Sequence, residues 1–111
     1  MSPRDLVYVG HMLDMARKAV SKTEGISREV KQYQGQLFAA VNNGANTVAL
    51  YTREGGGLMF DKLVTTTSPP LSVDFGNDHM YVAGATTVDS FVLHGNHAEW
   101  RDGTTFLELA K

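Results

Sequence analysis

Three histidines in the C-terminal half of the chain carry the clearest potential for metal chemistry: His79, His94 and His97. Neutral imidazole is a common transition-metal ligand, and the two residues between His94 and His97 could let both rings meet across a turn. Asp78 or Glu99 would add an oxygen ligand. Close spacing of two histidines within a turn is a weak signal for a metal site. We therefore favour the interpretation that these are turn and surface histidines that bind no metal. We expect no cofactor.

The carboxylates offer a second kind of chemistry, general-base catalysis or calcium binding. Asp74 stands out because it lies inside a predicted strand, whereas aspartates in turns usually bond to nearby backbone amides. No Asp-x-Asp-x-Asp-Gly loop is present to indicate calcium. A structural role is favoured for Asp74 and for its fellow candidates Asp78, Asp89 and Asp102. The chain has no cysteine and no Gly-x-Ser-x-Gly elbow, so it lacks both of these nucleophile signatures.

The first 29 residues predict a helix from about residue 3 to 24. Ser2 suits the N-cap, Pro3 suits the first turn, and Gly25 suits the stop. Apolar residues at three- and four-residue spacing predict one buried stripe. Its members are Leu6, Val9, Leu13, Ala16 and Val20, widened by Met12 and Ala19.

From residue 30 onward the pattern predicts an antiparallel β-meander, because short apolar runs alternate with Gly, Asn, Asp, Ser and Pro. The predicted strands are 36–41, 47–52, 58–64, 71–75, 79–83 and 90–93. The fold class is therefore α+β, with an N-terminal helical segment over 1–29 and a β segment over 30–111.

The β segment contains an internal repeat. A shift of 43 residues places the apolar run 36–40 on 79–83 and the run 46–51 on 89–94, and a shorter second copy brings Phe60 opposite Trp100. This period fits a four-stranded propeller blade of ~40–50 residues. A generic meander whose hairpins match by chance is the alternative. The aromatic side chains are expected to pack between strands rather than form a ligand cage: Phe60, Tyr81, Phe91 and Trp100.

The pattern GQLFAAVNNGANTVALYTREGGGLMF, followed by SPPLSVDFGNDHMYVAGATTVDSFVLHG, resembles the lactonase-type seven-bladed β-propeller family. The resemblance covers about residues 33–103, roughly two blades. It implies an incomplete propeller of blade-type strands, and hydrolysis of a sugar lactone if such units assemble into a closed ring. A binding scaffold is the other function that it implies.

The segment SPRDLVYVGHMLDMARKAVSKTEGISRE resembles the first helix of HepT-like HEPN ribonuclease toxins. That family carries an Arg-x(4–6)-His motif on a later helix and binds a nucleotidyltransferase antitoxin. Arg4 and His11 match the motif's spacing and would share one helix face. They lie on the wrong helix, so two surface polar groups are the favoured interpretation.

Composition narrows the function classes. The 111 residues carry a net charge of −2 and are 42% hydrophobic, which indicates a folded chain without a basic nucleic-acid surface. No signal peptide or membrane helix is recognisable, so a cytoplasmic location is expected.

We expect a non-catalytic fusion or fragment acting as a binding or self-associating module, whose partner covers exposed sheet edges. A HepT-like toxin relic and a lactone hydrolase are the alternatives.

Overall fold

Eight strands and two helices occupy the residues that the computed structural model describes, which are 3–21, 30–42, 44–76, 78–94 and 97–109. Side chains are described from residue 9 onward, except that of Ser21. The elements are α1 (Pro3–Ser21), β1 (Val30–Tyr33), β2 (Leu37–Asn42), β3 (Thr47–Glu54), β4 (Gly57–Thr65), β5 (Pro70–Gly76), β6 (His79–Gly84), β7 (Thr87–His94), β8 (His97–Thr105) and α2 (Phe106–Leu109).

The strands form two four-stranded antiparallel sheets in which every strand pairs with its neighbour in the chain. Sheet A has the order β1-β2-β3-β4, and sheet B has the order β5-β6-β7-β8. The β3–β4 connection shows how the turn residues direct this topology. Gly55 and Gly56 have φ of 56° and 85°, which suits a two-residue hairpin turn of the type that matches strand twist. The predicted antiparallel meander with one long helix is confirmed at this level.

The two sheets repeat each other with a register that differs from the sequence match. Ala39 pairs with Leu50 in sheet A, and Met80 pairs with Phe91 in sheet B. Both residues of the second pair lie 41 positions beyond those of the first, rather than 43. A slide of two residues preserves which side chains face the core, because strand side chains alternate with a period of two. The apolar pattern alone therefore could not distinguish the two shifts.

The main core lies between the sheets. Twelve buried residues, six from each sheet, form one apolar cluster: Leu37, Ala39, Val41, Val48, Leu50, Val64, Val73, Met80, Val82, Phe91, Leu93 and Ala98. Tyr33 and Phe75 pack against this cluster, and their rings lie 5.3 Å apart. The inner faces of both sheets are thereby removed from water, which is the dominant stabilising contribution.

Helix α1 covers the other side of sheet B. Met12, Met15 and Ala19 are at most 1% exposed and pack with Tyr81 and other apolar residues of sheet B. The predicted stripe is confirmed at Met12, Ala16 and Ala19, which contribute to this cluster. It is wrong at Val9 and Val20, which are 36% and 62% exposed. The buried line runs through positions 12, 15 and 19, because the flexible methionine side chains fill the surface between helix and sheet.

Hydrogen bonds fix how the two sheets meet. The segment 66–69 links β4 to β5, and there Thr66 Oγ1 donates to Ser68 O at 2.8 Å. The Ser68 and Thr87 hydroxyls lie 2.7 Å apart. At the opposite end Tyr33 Oη donates to Asp78 Oδ1 at 2.9 Å. This bond, together with burial and the Asp78 charge, raises the pKa of the Tyr33 phenol.

Several element predictions need correction. Strands β1 and β8 and helix α2 were missed, and β7 begins three residues before the predicted start at residue 90. β1 and β8 are edge strands with mixed polar sequences, so they lack the continuous apolar runs that identified the others. The predicted helix end at 22–24 lies outside the described residues. Neither described helix combines the length and apolar character needed to cross a membrane.

Candidate functional site

Asp74 attaches helix α1 to sheet B. Its Oδ2 accepts a hydrogen bond from Lys18 Nζ at 3.2 Å, and its Oδ1 accepts one from the Phe75 amide at 2.9 Å. Burial lowers the pKa of the Lys18 ammonium, but Asp74 and Asp14 outweigh it and raise that pKa. Both carboxylate oxygens of Asp74 are thus engaged in holding structure, which is the role that the sequence favoured.

His79 and His11 flank Tyr81 where α1 meets sheet B. His79 is 6% exposed and stacks on Tyr81 at 5.9 Å between ring centroids, and His11 lies 4.8 Å from the same ring. Arg101 Nη1 lies 3.1 Å from His79 Nε2. Because a guanidinium can only donate, this contact requires an unprotonated Nε2. Gly76 completes the cluster, since a side chain there would collide with the His11 ring.

His94 and His97 lie elsewhere, paired with each other at the end of the β7–β8 hairpin. His94 Nε2 is 3.4 Å from Glu99 Oε2, and His97 Nδ1 is 3.9 Å from Asp61 Oδ2. The second distance is too long for a hydrogen bond. Within the described ranges, no group of three or more His, Cys, Asp or Glu residues could hold a metal ion.

Arg4 lies in α1, but its side chain is outside those described. Its proposed pairing with His11 stays a prediction. The His11 imidazole packs against the Tyr81 ring, at the surface that α1 buries on sheet B.

The charged group most deeply embedded between the sheets was not singled out by sequence. Asp89 is 1% exposed and accepts hydrogen bonds from three donors. The Thr67 amide donates to Oδ2 at 2.8 Å, the Thr67 hydroxyl to Oδ1 at 2.6 Å, and Trp100 Nε1 to Oδ1 at 3.1 Å. Asp89 thereby ties the inter-sheet link to β8. The local sequence around Asp89 gives no signal for these hydrogen bonds, because the donors lie 22 and 11 residues away along the chain.

Sheet A has an outer face, turned away from sheet B, that no helix covers in the described part of the chain. Strand pairing assigns thirteen residues to this outer face: Val30, Gln32, Phe38, Ala40, Asn42, Thr47, Ala49, Tyr51, Arg53, Leu58, Phe60, Leu63 and Thr65. The corresponding side of sheet B is covered by α1.

The outer face is apolar and carries one charged residue, Arg53. Four of its large apolar side chains are more than half exposed, namely Val30 at 62%, Leu58 at 53%, Phe60 at 58% and Leu63 at 57%. Contiguous exposed apolar patches of this kind mark interaction sites in folded proteins. Of the four aromatic residues expected to pack within the blades, Tyr81 and Phe91 are buried, whereas Phe60 and Trp100 are more than half exposed. Each of the two exposed residues lies on an edge strand, where no further strand flanks it.

The side chains on the outer face differ in size, so parts of the face project and other parts are recessed. Ala40 and Ala49 are directly opposite each other on the central strands and form a hollow, beside the larger pair Phe38 and Tyr51 on the same strands. Leu58, Phe60 and Leu63 form a ridge along β4, with Phe60 in edge contact with Tyr51 at 5.7 Å. At one corner the Arg53 guanidinium lies 5.3 Å from the Phe38 ring centroid, and its Nε donates to Gly35 O at 3.0 Å.

Comparison of the chain with known protein families, with curated proteins and with solved structures finds no match.

Proposed function

We propose that this protein is a non-catalytic β-sheet module that acts by self-association through the outer face of sheet A. The observation that carries the proposal is an apolar face that none of the described residues covers, opposite a sheet whose own outer side is covered by α1. Leaving such a face in water forgoes the free energy that burial would supply.

The shape of the outer face favours a second copy of the chain as its occupant. A two-fold contact is self-complementary, so a surface that carries both a ridge and a hollow can fill itself. Here the ridge of Leu58, Phe60 and Leu63 on one copy would enter the hollow at Ala40 and Ala49 on the other. Sheets that pack face to face in this way interdigitate their side chains at a spacing of ~10 Å.

Size and charge support the same occupant. The outer face spans all four strands of sheet A, and standard interfaces bury ~800 Å² per partner. Its one charged residue, Arg53, is already held by Gly35 O and the Phe38 ring at a corner. A strongly acidic or basic partner would find few counter-charges on this face.

We further propose that the two sheets are two successive blade-type units of the lactonase-like kind. The 41-residue correspondence of their hairpins supports a duplicated unit. The loop from Asn42 to Thr47 and the loop from Ala83 to Val88 have the same length and the same offset. Under this proposal the two repeated units form a scaffold. A second copy of the chain covers the face of sheet A that a further unit would otherwise cover.

A thiol-labelling experiment tests the proposal at the outer face. The chain has no cysteine, so Leu63→Cys creates a single reporter there. We expect its labelling rate to fall at least fivefold as protein concentration rises from the nanomolar into the high micromolar range, because association buries the thiol. Leu107→Cys, on a residue that is 73% exposed in α2, is the matched control and should label at a constant rate.

Two outcomes would count against the proposal. Concentration-independent labelling of the Leu63→Cys thiol would show that nothing covers the outer face. Equal slowing of the Leu107→Cys thiol would show non-specific aggregation rather than association through sheet A.

A further inference from the structure

An open cleft lies beside the sole tryptophan of the chain. It opens between the end of β4, the inter-sheet link and strands β7 and β8, and has a volume of about 420 Å³. Its lining residues are Val64, Thr65, Thr66, Thr67, Phe91 and Trp100. Ligand sites are clefts of ~300–1,000 Å³ with apolar walls and a few placed polar groups. We call this feature the indole cleft.

The Trp100 ring is held in place rather than merely exposed. The side chain is 52% exposed, yet its indole N–H donates to the buried Asp89 carboxylate at 3.1 Å. Gly103 leaves room for this arrangement, because a side chain there would approach Asp89 Oδ1 to 2.6 Å and the Trp100 ring to 3.4 Å. A ring fixed in this way loses little conformational freedom on binding, which favours affinity.

The chemistry of the lining selects an uncharged ligand. No residue of the lining carries a charge. The nearby Asp89 carboxylate already accepts three hydrogen bonds, with Oδ1 shared by the Thr67 hydroxyl and Trp100 and Oδ2 taken by the Thr67 amide. A cationic ligand would therefore have to displace native partners of Asp89 to pair with it.

We infer that the indole cleft binds uncharged aromatic molecules, which stack on the exposed Trp100 ring above a floor of Val64 and Phe91, the buried side chains beneath it. Aromatic pairs in offset or edge geometry contribute ~0.5–1.5 kcal/mol beyond the area that they bury. The Thr66 and Thr67 hydroxyls already donate to Ser68 O and to Asp89, so they can only accept a hydrogen bond from a polar substituent. This leaves too few free hydrogen-bonding groups to satisfy the many hydroxyls of a saccharide. Thr65 is the one lining residue that also belongs to the outer face, and binding in the cleft does not depend on self-association.

Trp100 fluorescence provides the test, because it reports on this cleft alone. The probe is 4-nitrobenzyl alcohol, an uncharged nitroaromatic that quenches indole emission on contact. We expect quenching that saturates, above the linear quenching of free N-acetyltryptophanamide. At a protein concentration below the self-association range, Thr65→Arg places a long cation at the exposed rim and should weaken the saturable component at least tenfold. Thr86→Arg, at an exposed threonine outside the lining, should leave it unchanged.

Several outcomes would overturn the inference. These are purely linear quenching of the native chain, equal saturation in Thr65→Arg, and displacement of the probe by methyl α-D-glucopyranoside, which would indicate a saccharide site. Leu63→Glu should bind the probe as the native chain does. Failure of the cleft and failure of the outer face can therefore be told apart.

Discussion

Asp89→Ala is expected to lower the free energy of unfolding by about 3 kcal/mol, a large share of the ~5–15 kcal/mol typical of a folded domain. The substitution removes an acceptor with three hydrogen bonds from a site that is 1% exposed. The Thr67 amide and hydroxyl and the Trp100 indole N–H would lose a charged acceptor, and a hydrogen bond to a charged group contributes about 1.5–3 kcal/mol. Segment 66–69, which links the two sheets, would lose its bonds to Asp89.

Urea denaturation followed by circular dichroism measures this effect. Glu99→Ala is the matched control, since that carboxylate is 77% exposed and its neighbour His94 is also exposed. We expect the control to change the unfolding free energy by less than about 0.5 kcal/mol. Asp89→Asn keeps the side-chain volume but turns one acceptor into a donor. Its loss of unfolding free energy should therefore lie between those of Glu99→Ala and Asp89→Ala. An Asp89→Ala variant as stable as the native chain would contradict the structural role assigned to this carboxylate.

Leu63→Glu is expected to raise the dissociation constant for self-association at least about 100-fold, since burying an uncompensated carboxylate costs several kcal/mol. The residue lies on the outer face, 57% exposed, so the change should leave the fold of the single chain intact. In a two-fold contact both copies carry the charge. Arg53 is engaged at its corner by Gly35 O and Phe38, away from Leu63 in the strand register.

The matched control for this variant is Leu107→Glu, which introduces the same charge at an exposed leucine on α2. Light scattering after size exclusion compares the two variants with the native chain at equal concentration. We expect the native chain and Leu107→Glu to associate alike, and Leu63→Glu to elute as single chains. Equal association of all three would place the contact somewhere other than the outer face.

Local sequence patterns predicted the strands that carry apolar runs and the turns that carry glycine. The β3–β4 hairpin is the clearest case, because Gly55 and Gly56 specify the turn and the flanking alternation specifies the faces. The same patterns missed β8, whose sequence mixes charges with Trp100 along an edge of sheet B. The helix stripe was misplaced because the choice between neighbouring faces of α1 depends on sheet B, which local spacing does not encode.

The functional features follow from contacts between distant parts of the chain, so single-sequence reasoning could not place them. Asp89 was grouped with turn aspartates because its donors, Thr67 and Trp100, come together only when the two sheets pack. The exposure of Phe60 depends on β4 being an edge strand, which is a property of the topology. Asp74 lies inside a strand, as predicted, and its bonds to Lys18 and Phe75 join the helix to that strand.

Sedimentation equilibrium of the native chain across a wide concentration range tests the central claim most directly. The account predicts a reversible equilibrium between one chain and two, with a dimer mass of twice the chain at high micromolar concentration. A single-chain mass throughout that range would contradict self-association through the outer face. Open-ended growth without a defined dimer would contradict it equally, because a closed two-fold contact leaves no free copy of the face.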